Sequence, residues 1–235
     1  MKAIFLLGVV VIGSALVACG GGSGVGPQEL LKQEQQLRDR LPIDWSNYNG
    51  GDYEGAIDFF TSTLEKAETY EGPESILNEI KSEAHNGIGW AFFRMQSLEA
   101  ATTSFQQSTT LNRRNADAWA GYAGVALARR LYNEAVQYAI QALSVDANYN
   151  SSFRIDESER QMGHDNFDDR HLRLILAEAY FQLGRYSAID RPDPNNASAQ
   201  LRMVNEEFVF RDAGQLLQEL SLAAIDLQQE RGSGF

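Results

Sequence analysis

Cysteine and histidine, which form disulfide bonds and bind metals, are scarce in the sequence, and so is proline. It has one cysteine, three histidines and five prolines among 235 residues. A lone thiol excludes an internal disulfide and any metal site that needs several thiolates. Segments that alternate apolar and polar residues are few, so helical patterns dominate, and we expect the prolines between helices. The chain is therefore predicted to be all-α.

Positive charge is also scarce. Lysine and arginine total 20 against 32 aspartate and glutamate residues, which gives a formal net charge of −12. The arginine pairs at 113–114 and 129–130 are isolated. An acidic chain without a basic cluster is repelled by phosphate backbones and by anionic lipid surfaces. We therefore expect no nucleic acid among its partners.

Catalytic motifs are absent from the sequence. It contains no glycine-rich phosphate loop, no Gly-x-Ser-x-Gly nucleophile elbow and no His-Glu-x-x-His pair. We expect a protein that is not an enzyme and that needs no cofactor.

The N-terminus carries the most specific pattern in the chain. Lys2 precedes an apolar run over residues 3–17, which ends in Leu16, Val17, Ala18 and Cys19. A basic start, an apolar stretch and a small-residue end are typical of a secretory signal peptide. The run is shorter than the ~20 apolar residues of a membrane-spanning helix. An ordinary secretory signal with an incidental cysteine is the other alternative.

Residues 16–19 resemble the signal of bacterial lipoproteins. That resemblance implies that the thiol of Cys19 receives a diacylglycerol group and that cleavage removes residues 1–18. The glycine-rich residues 19–27 would then form a tether, of which residues 20–26 reach roughly 15 Å. Glycine rather than aspartate follows the cysteine, which favours the outer membrane under the sorting rule of Gram-negative lipoproteins. We expect a lipid-anchored protein of the cell envelope.

A helical repeat follows the tether. Residues 27–41 predict a short leading helix, and the stretch from Gly51 to Phe60 has the pattern of a turn between two helices. His85 and Trp119 lie 34 residues apart, as do Ala101 and Ala135. These positions resemble the tetratricopeptide repeat, and the shift matches the period of that family. His85 stands where the repeat has a large packed residue, so we expect it to pack between helices rather than to bind a metal.

The resemblance implies a tetratricopeptide-like α-solenoid of about four helix pairs with a capping C-terminal helix. The domain would span residues 28–235, with core repeats at about 43–190 and a capping region at 191–235. A small residue in each unit lets two helices approach, and an aromatic residue fills the gap beside it. The signature packing positions are Tyr53, Ala56, Phe60, Gly89, Phe92, Ala101, Phe105, Trp119, Tyr122, Ala135, Ala177, Tyr180 and Gly184.

The C-terminal part departs from the repeat pattern. In the fourth unit Ala188 sits one position early, and prolines at 192 and 194 end the predicted second helix. A final helix begins near Asp212, which forms a capping-box pattern with Gln215. Its apolar face is predicted to cover the end of the stack and consists of Leu216, Leu220, Ala224 and Leu227.

Residues 148–167 are the main irregularity, because the connection is longer than loops usually are in compact domains. His164, Asp165, Asp168 and His171 are weak candidates there for a metal or acid–base cluster. The alternative is a solvated loop followed by aspartates that cap the next helix. The spacing fits no known metal motif, so no metal site is assigned.

These features favour a membrane-anchored scaffold for protein–protein interaction. Its partner would be an envelope protein or peptide in the concave groove of the solenoid, in outer-membrane assembly, secretion or envelope maintenance. The alternative is a ligand-binding lipoprotein that assists the uptake of glycans or peptides. An enzyme with its site at 164–171 is a third hypothesis, which nothing else in the sequence supports.

Overall fold

The computed structural model describes residues 25–151, 163–164, 167–187 and 194–232. The signal peptide, Cys19 and most of the tether lie outside the described residues, as do Asp165 and Ala188. Within the described ranges no helix is both long and apolar enough to cross a bilayer. The signal peptide, the anchor and the tether therefore stay predictions.

The regular structure of the described residues consists of nine α-helices and one isolated β-bridge, between Asn150 and Asp168. The helices are α1 (Pro27–Asn49), α2 (Tyr53–Ala67), α3 (Glu74–Arg94), α4 (Leu98–Leu111), α5 (Ala116–Ala128), α6 (Tyr132–Val145), α7 (Asp169–Gln182), α8 (Ala197–Val204) and α9 (Ala213–Gly232). The all-α prediction is confirmed.

Successive helices form four pairs, α1/α2, α3/α4, α5/α6 and α7/α8, and α9 lies against α7 and α8. Each odd-numbered helix also contacts the next odd-numbered one, whereas the even-numbered helices pack mainly on their neighbours in sequence. The odd-numbered helices therefore form the inner, concave layer. The predicted tetratricopeptide-like solenoid of four pairs with a C-terminal helix is confirmed.

The four pairs share one kind of turn. Each contains a residue with left-handed backbone: Gly51, Gln96, Arg130 and Gly184, with φ of 82°, 59°, 60° and 73°. The next residue donates its N–H to a carbonyl five residues earlier, as Ser97 does to Phe92 at 2.9 Å. This is the Schellman closure of a helix C-terminus. Because the turns are equivalent, residues of different units can be aligned by counting from the left-handed residue.

Aromatic residues of the outer helices join the pairs. Phe105 on α4 touches Gly89 of its own pair and Gly121 of the next inner helix, and Phe60 on α2 touches Gly87 in the same way. A Cβ atom at Gly87 or Gly121 would overlap the ring. The predicted complementarity of small and aromatic residues thus extends from one pair to the next.

The N-terminal helix differs from the prediction. The sequence suggested a leading helix over residues 27–41 and a separate, shortened helix containing Trp45 and Tyr48, with every proline outside helices. The structure has a single helix, α1, with Pro42 inside it. Proline removes one backbone hydrogen bond, but Leu37, Leu41, Trp45 and Tyr48 form one continuous buried stripe. Burial of that stripe outweighs the local cost and keeps the helix unbroken.

The C-terminal region also differs in detail. The helix that packs on α7 is α8, in the segment assigned to the capping region, and Asn196 caps it by accepting the Ala199 N–H at 2.9 Å. On α9, Leu216, Leu220 and Leu227 are buried as predicted, but Ala224 is exposed. The buried stripe passes through Ala223 instead, because positions three and four apart both fall on one helix face.

The predicted capping box of α9 is only half formed. Asp212 accepts the Gln215 N–H at 2.9 Å, but the Gln215 side chain accepts the N–H of Arg211 rather than that of Asp212. The helix still begins at the predicted place.

Candidate partner-binding surface

The inner helices present equivalent residues to the concave side. The sixth residue before each left-handed position is Trp45, Trp90, Gly124 or Glu178. The tenth is Leu41, Asn86, Ala120 or Leu174, and the thirteenth is Arg38, Glu83, Asp117 or His171. Spacings of three and four place these residues on one side of each helix. We call the surface formed by these twelve positions the inner face.

Described residues of the connection from α6 to α7 lie on this surface. We call these residues, 146–151, 163–164 and 167–168, the return segment. The ring of His164 lies 3.9 Å from that of Trp90 on α3 and 6.0 Å from those of Trp45 and Tyr48 on α1, measured between centroids. His164 is only 4% exposed. It therefore fills the inner face where the first two pairs meet.

Asp117 anchors the return segment to the third pair. Its carboxylate accepts hydrogen bonds from the Tyr149 hydroxyl and, at 2.6 Å, from Nδ2 of Asn86, and it lies 3.2 Å from Nε2 of His164. The carboxylate is 1% exposed. A buried carboxylate needs such partners, because removing it from water without them is costly. One side chain on α5 thus links α3 and both arms of the return segment.

Backbone pairing closes the base of the return segment. Ser151 N–H donates to the Phe167 carbonyl at 2.9 Å, and Asp169 N–H donates to the Tyr149 carbonyl at 2.8 Å. Nδ2 of Asn49, at the end of α1, donates to the Gly163 carbonyl at 3.0 Å. The two described arms are therefore held to each other and to the first helix.

A second buried carboxylate ties the inner helices together. Glu83 accepts hydrogen bonds from Nε1 of Trp45 at 2.8 Å and from Nδ2 of Asn115 at 3.1 Å. Asn115 also caps α5 by accepting the Ala118 N–H at 3.0 Å. Glu83, Asn86 and Asp117 on the inner face thus form hydrogen bonds between elements of the first three pairs.

This arrangement places part of the chain itself in the concave groove, where the sequence predicts a partner. The return segment covers the inner face from α1 to α5 with its own side chains and backbone. A partner could reach that part only by displacing His164 and Tyr149, which are both buried.

The weak metal candidates are not brought together as a cluster. His164 faces Asp117, whereas His171 lies on α7 with Nδ1 2.8 Å from Asp168. Asp168 and His171 form the capping box at the start of α7. Burial opposes ionisation of Asp168, but hydrogen bonds from His171 and Arg170 hold the pKa of its carboxyl well below the usual range. Across the described residues, no three His, Cys, Asp or Glu side chains are grouped to hold a metal ion.

The signature residues of the predicted repeat lie on helices α2 to α7, except Gly184, which is exposed in the turn after α7. Buried members are Ala56, Phe60, Gly89, Ala101, Phe105, Ala135, Ala177 and Tyr180, and Tyr53, Phe92, Trp119 and Tyr122 are half-buried. His85 is half-buried on α3, where burial and the charge of Lys81 lower its pKa. The buried apolar signature residues belong to the hydrophobic core between the helices.

Three important residues were missed by sequence reasoning: Asn86, Asp117 and Tyr149. A signal for one of them was present, because Glu83 and Asp117 stand 34 residues apart at the same inner-face position. An acidic residue repeated at a buried position indicates a hydrogen-bond network. Nothing in the sequence pointed to Tyr149, which meets Asp117 only through the tertiary fold.

Comparison with known proteins adds little. No protein-family profile and no curated protein matches the sequence. Two crystal structures of MamA are similar at 14% and 16% identity, each with a TM-score of 0.35. The first match covers 87% of this chain and 97% of MamA, and the second covers 81% and 96%. Scores this low carry no argument about function, so the helix pairs themselves define the fold.

Proposed function

We propose that the protein is a membrane-anchored scaffold of the bacterial cell envelope, which binds a protein partner on its helical solenoid. The observation that most supports this proposal is that polar residues on the inner face hold structural elements together. Glu83, Asn86 and Asp117 are engaged in hydrogen bonds between structural elements, which is what a rigid binding platform requires. Outer-membrane assembly, secretion and envelope maintenance are the settings in which such a scaffold would act.

The anchor is the part of this proposal that rests on sequence alone. Lipid modification of Cys19 would hold the solenoid at the membrane through a glycine-rich tether, and two lipid signals on one residue give stable attachment. Mass spectrometry of the purified protein should show an acylated N-terminal cysteine after loss of residues 1–18. Cys19→Ser should give an unlipidated precursor. A processed Cys19→Ser form that still partitions into detergent would refute the anchor.

The partner can be tested in intact cells. Photo-crosslinking p-benzoylphenylalanine is placed at Leu174, on the inner face, or at Phe59, which is exposed on the outer helix α2. The scaffold proposal predicts a discrete protein adduct from the inner position, identified by mass spectrometry and absent from the outer control. Adducts of equal yield from both positions, or none from either, would count against it.

A ligand-binding lipoprotein that assists glycan or peptide uptake is the second candidate. It is favoured by one aromatic cluster: the rings of Tyr122 and Tyr138 stack at 3.9 Å, and Trp119 lies 5.7 Å from Tyr138. All three residues are half-buried, and exposed aromatic surfaces can stack on sugar rings. Retention of the protein on an immobilised glycan column, lost in Trp119→Ala, would favour uptake over the scaffold.

A further inference from the structure

A pocket of about 280 Å³ remains on the inner face of the fourth pair. Its lining is largely apolar and includes Leu127 on α5, Leu174 and Ile175 on α7, and Leu227 on α9. Phe167, at the end of the return segment, forms another wall. The pocket therefore lies between the two parts of the chain that cover the rest of the concave side, the return segment and α9.

The pocket is lined by α7 residues whose equivalents on α3 and α5 include residues that contact the return segment. His171, Leu174 and Glu178 on α7 are equivalent to Glu83, Asn86 and Trp90 on α3. On α3 one of these positions, Trp90, meets a ring of the return segment, His164. On α7 the same positions face open space, because the return segment passes directly into α7.

One polar group in the pocket lacks a partner. Nδ1 of His171 is engaged with Asp168 at 2.8 Å, but Nε2, on the other edge of the ring, is buried without a hydrogen bond. Burying a polar nitrogen without a partner is costly. A ligand that forms a hydrogen bond with Nε2 would remove that cost.

We propose that this pocket binds one aromatic or large aliphatic side chain of an extended segment of a partner protein, whose backbone forms a hydrogen bond with Nε2 of His171. The proposal rests on the proposed scaffold function and specifies where the partner binds. A peptide is the fitting occupant because Trp90, the α3 residue equivalent to Glu178, already contacts a ring of this chain, His164. The volume is at or below the lower end of the range for small-molecule sites, and it suits a single side chain.

The net charge of −12 restricts which residues can flank the anchoring side chain of the partner. Glu178 lines the pocket, and burial raises the pKa of its carboxyl. An acidic residue next to the anchoring side chain would be repelled by the acidic chain. Neutral or basic flanking residues are therefore expected.

The test is a titration of the full mature chain with blocked peptides, followed by nuclear magnetic resonance of methyl groups. Acetyl-Gly-Phe-Gly-amide should shift the methyl signals of Leu174, Ile175 and Leu227 saturably, with a dissociation constant on the order of 1 mM, as expected for one small anchor. Intermolecular contacts from the phenylalanine ring to these methyl groups, and a shift of the His171 Nε2 signal, should accompany binding. Acetyl-Gly-Asp-Gly-amide should produce neither.

Two variants provide the matched comparison. Leu174→Trp fills the pocket and should abolish the shifts at Ile175 and Leu227, whereas Leu222→Trp, exposed on α9, should leave them unchanged. If Leu174→Trp fails to fold, the intermolecular contacts in the unmodified protein decide the matter. Non-saturable shifts, equal shifts with the aspartate peptide, or binding of octanoate but not of the phenylalanine peptide would overturn the proposal.

Failure of this proposal can be told apart from failure of the scaffold function. If the peptide does not bind but the crosslinking experiment still yields a protein adduct, the scaffold stands and only the pocket assignment is wrong. If the peptide binds but no adduct forms in cells, the pocket exists and the scaffold function is in doubt.

Discussion

At the scale of single residues, the carboxylate of Asp117 connects several structural elements. Its carboxylate accepts from Asn86 and Tyr149 and faces His164, so it joins α5 to α3 and to the return segment. Each of these contacts is buried, where an unpaired polar group costs about 1–3 kcal/mol. Stability of the concave side should therefore depend strongly on this one carboxylate.

Asp117→Asn should lower the free energy of unfolding by about 3 kcal/mol, because the amide donor that replaces one oxygen faces other donors. Asp146→Asn is the control, since Asp146 is exposed and its bond from Asn148 N–H needs only the retained oxygen. Its effect should stay within about 0.5 kcal/mol. Urea denaturation measures both, and equal effects would show that the Asp117 network is not important for stability.

Asp44 is a buried carboxyl of a different kind. It stands seven residues before the left-handed Gly51, where the other units have Gly89, Ala123 and Ala177. Burial raises the pKa of its carboxyl to about 6, although a hydrogen bond from Thr63 and the charge of Arg40 act in the opposite direction. The folded chain therefore holds this proton more tightly than the unfolded chain does.

The sign of the pH effect follows from that difference. Between the unfolded pKa and about pH 6 the native state binds more protons, so the Asp44 contribution to stability falls as the pH rises. Asp44→Asn removes this contribution. Relative to the unmodified protein, the variant should gain roughly 1 kcal/mol between pH 5 and pH 7.5. Parallel stability profiles of the two proteins over this range would contradict the assignment.

At the scale of helices, two glycines on α5 allow the effect of packing on stability to be distinguished from the effect of helix propensity. A Cβ at Gly121 would overlap the ring of Phe105, whereas a Cβ at Gly124 would meet Phe93 at 3.4 Å, an ordinary contact. Both glycines are buried in the same helix. Replacing a helical glycine by alanine normally stabilises by up to ~1 kcal/mol.

Gly124→Ala should therefore be neutral or stabilising, and Gly121→Ala should destabilise by about 1–3 kcal/mol because the ring of Phe105 must move. Thermal unfolding of the two variants measures the difference directly. A stabilising Gly121→Ala would show that the contact between neighbouring pairs is loose, and would weaken the repeat assignment.

The helices were largely predictable from sequence, for a physical reason. Residues at a shift of 34 create the same turn in the second and third units, at Gln96 and Arg130, so the periodic positions carry the fold there. Pro42 misled the prediction, because its local cost is visible in the sequence while burial of Trp45 and Tyr48 against other helices is not. The short helix α8 was assigned to the capping region, because it follows two prolines and has only eight residues.

The candidate site was less predictable. His164 and His171 are seven residues apart in sequence, yet one faces Asp117 and the other caps α7. Their separation depends on the path of the return segment, which has no periodic pattern. The alternative prediction for this region was that aspartates cap the next helix, and Asp168 does cap α7.

At the scale of the whole molecule, the chain is a solenoid that covers most of its own concave side. The return segment occupies the inner face from α1 to α5, and α9 packs on α7 and α8. What remains is the pocket on the fourth pair. A partner that binds on the concave side is therefore expected at the C-terminal end of the stack.

Thiol accessibility tests this account most directly. Ala120 and Leu174 occupy the same inner-face position in the third and fourth pairs, and the only natural cysteine can be removed as Cys19→Ser. In that background, Leu174→Cys should react with a maleimide at least about tenfold faster than Ala120→Cys. The covered inner face must open before a cysteine at position 120 can react. Equal rates at the two positions would contradict the closed inner face of the third pair and the open pocket on the fourth.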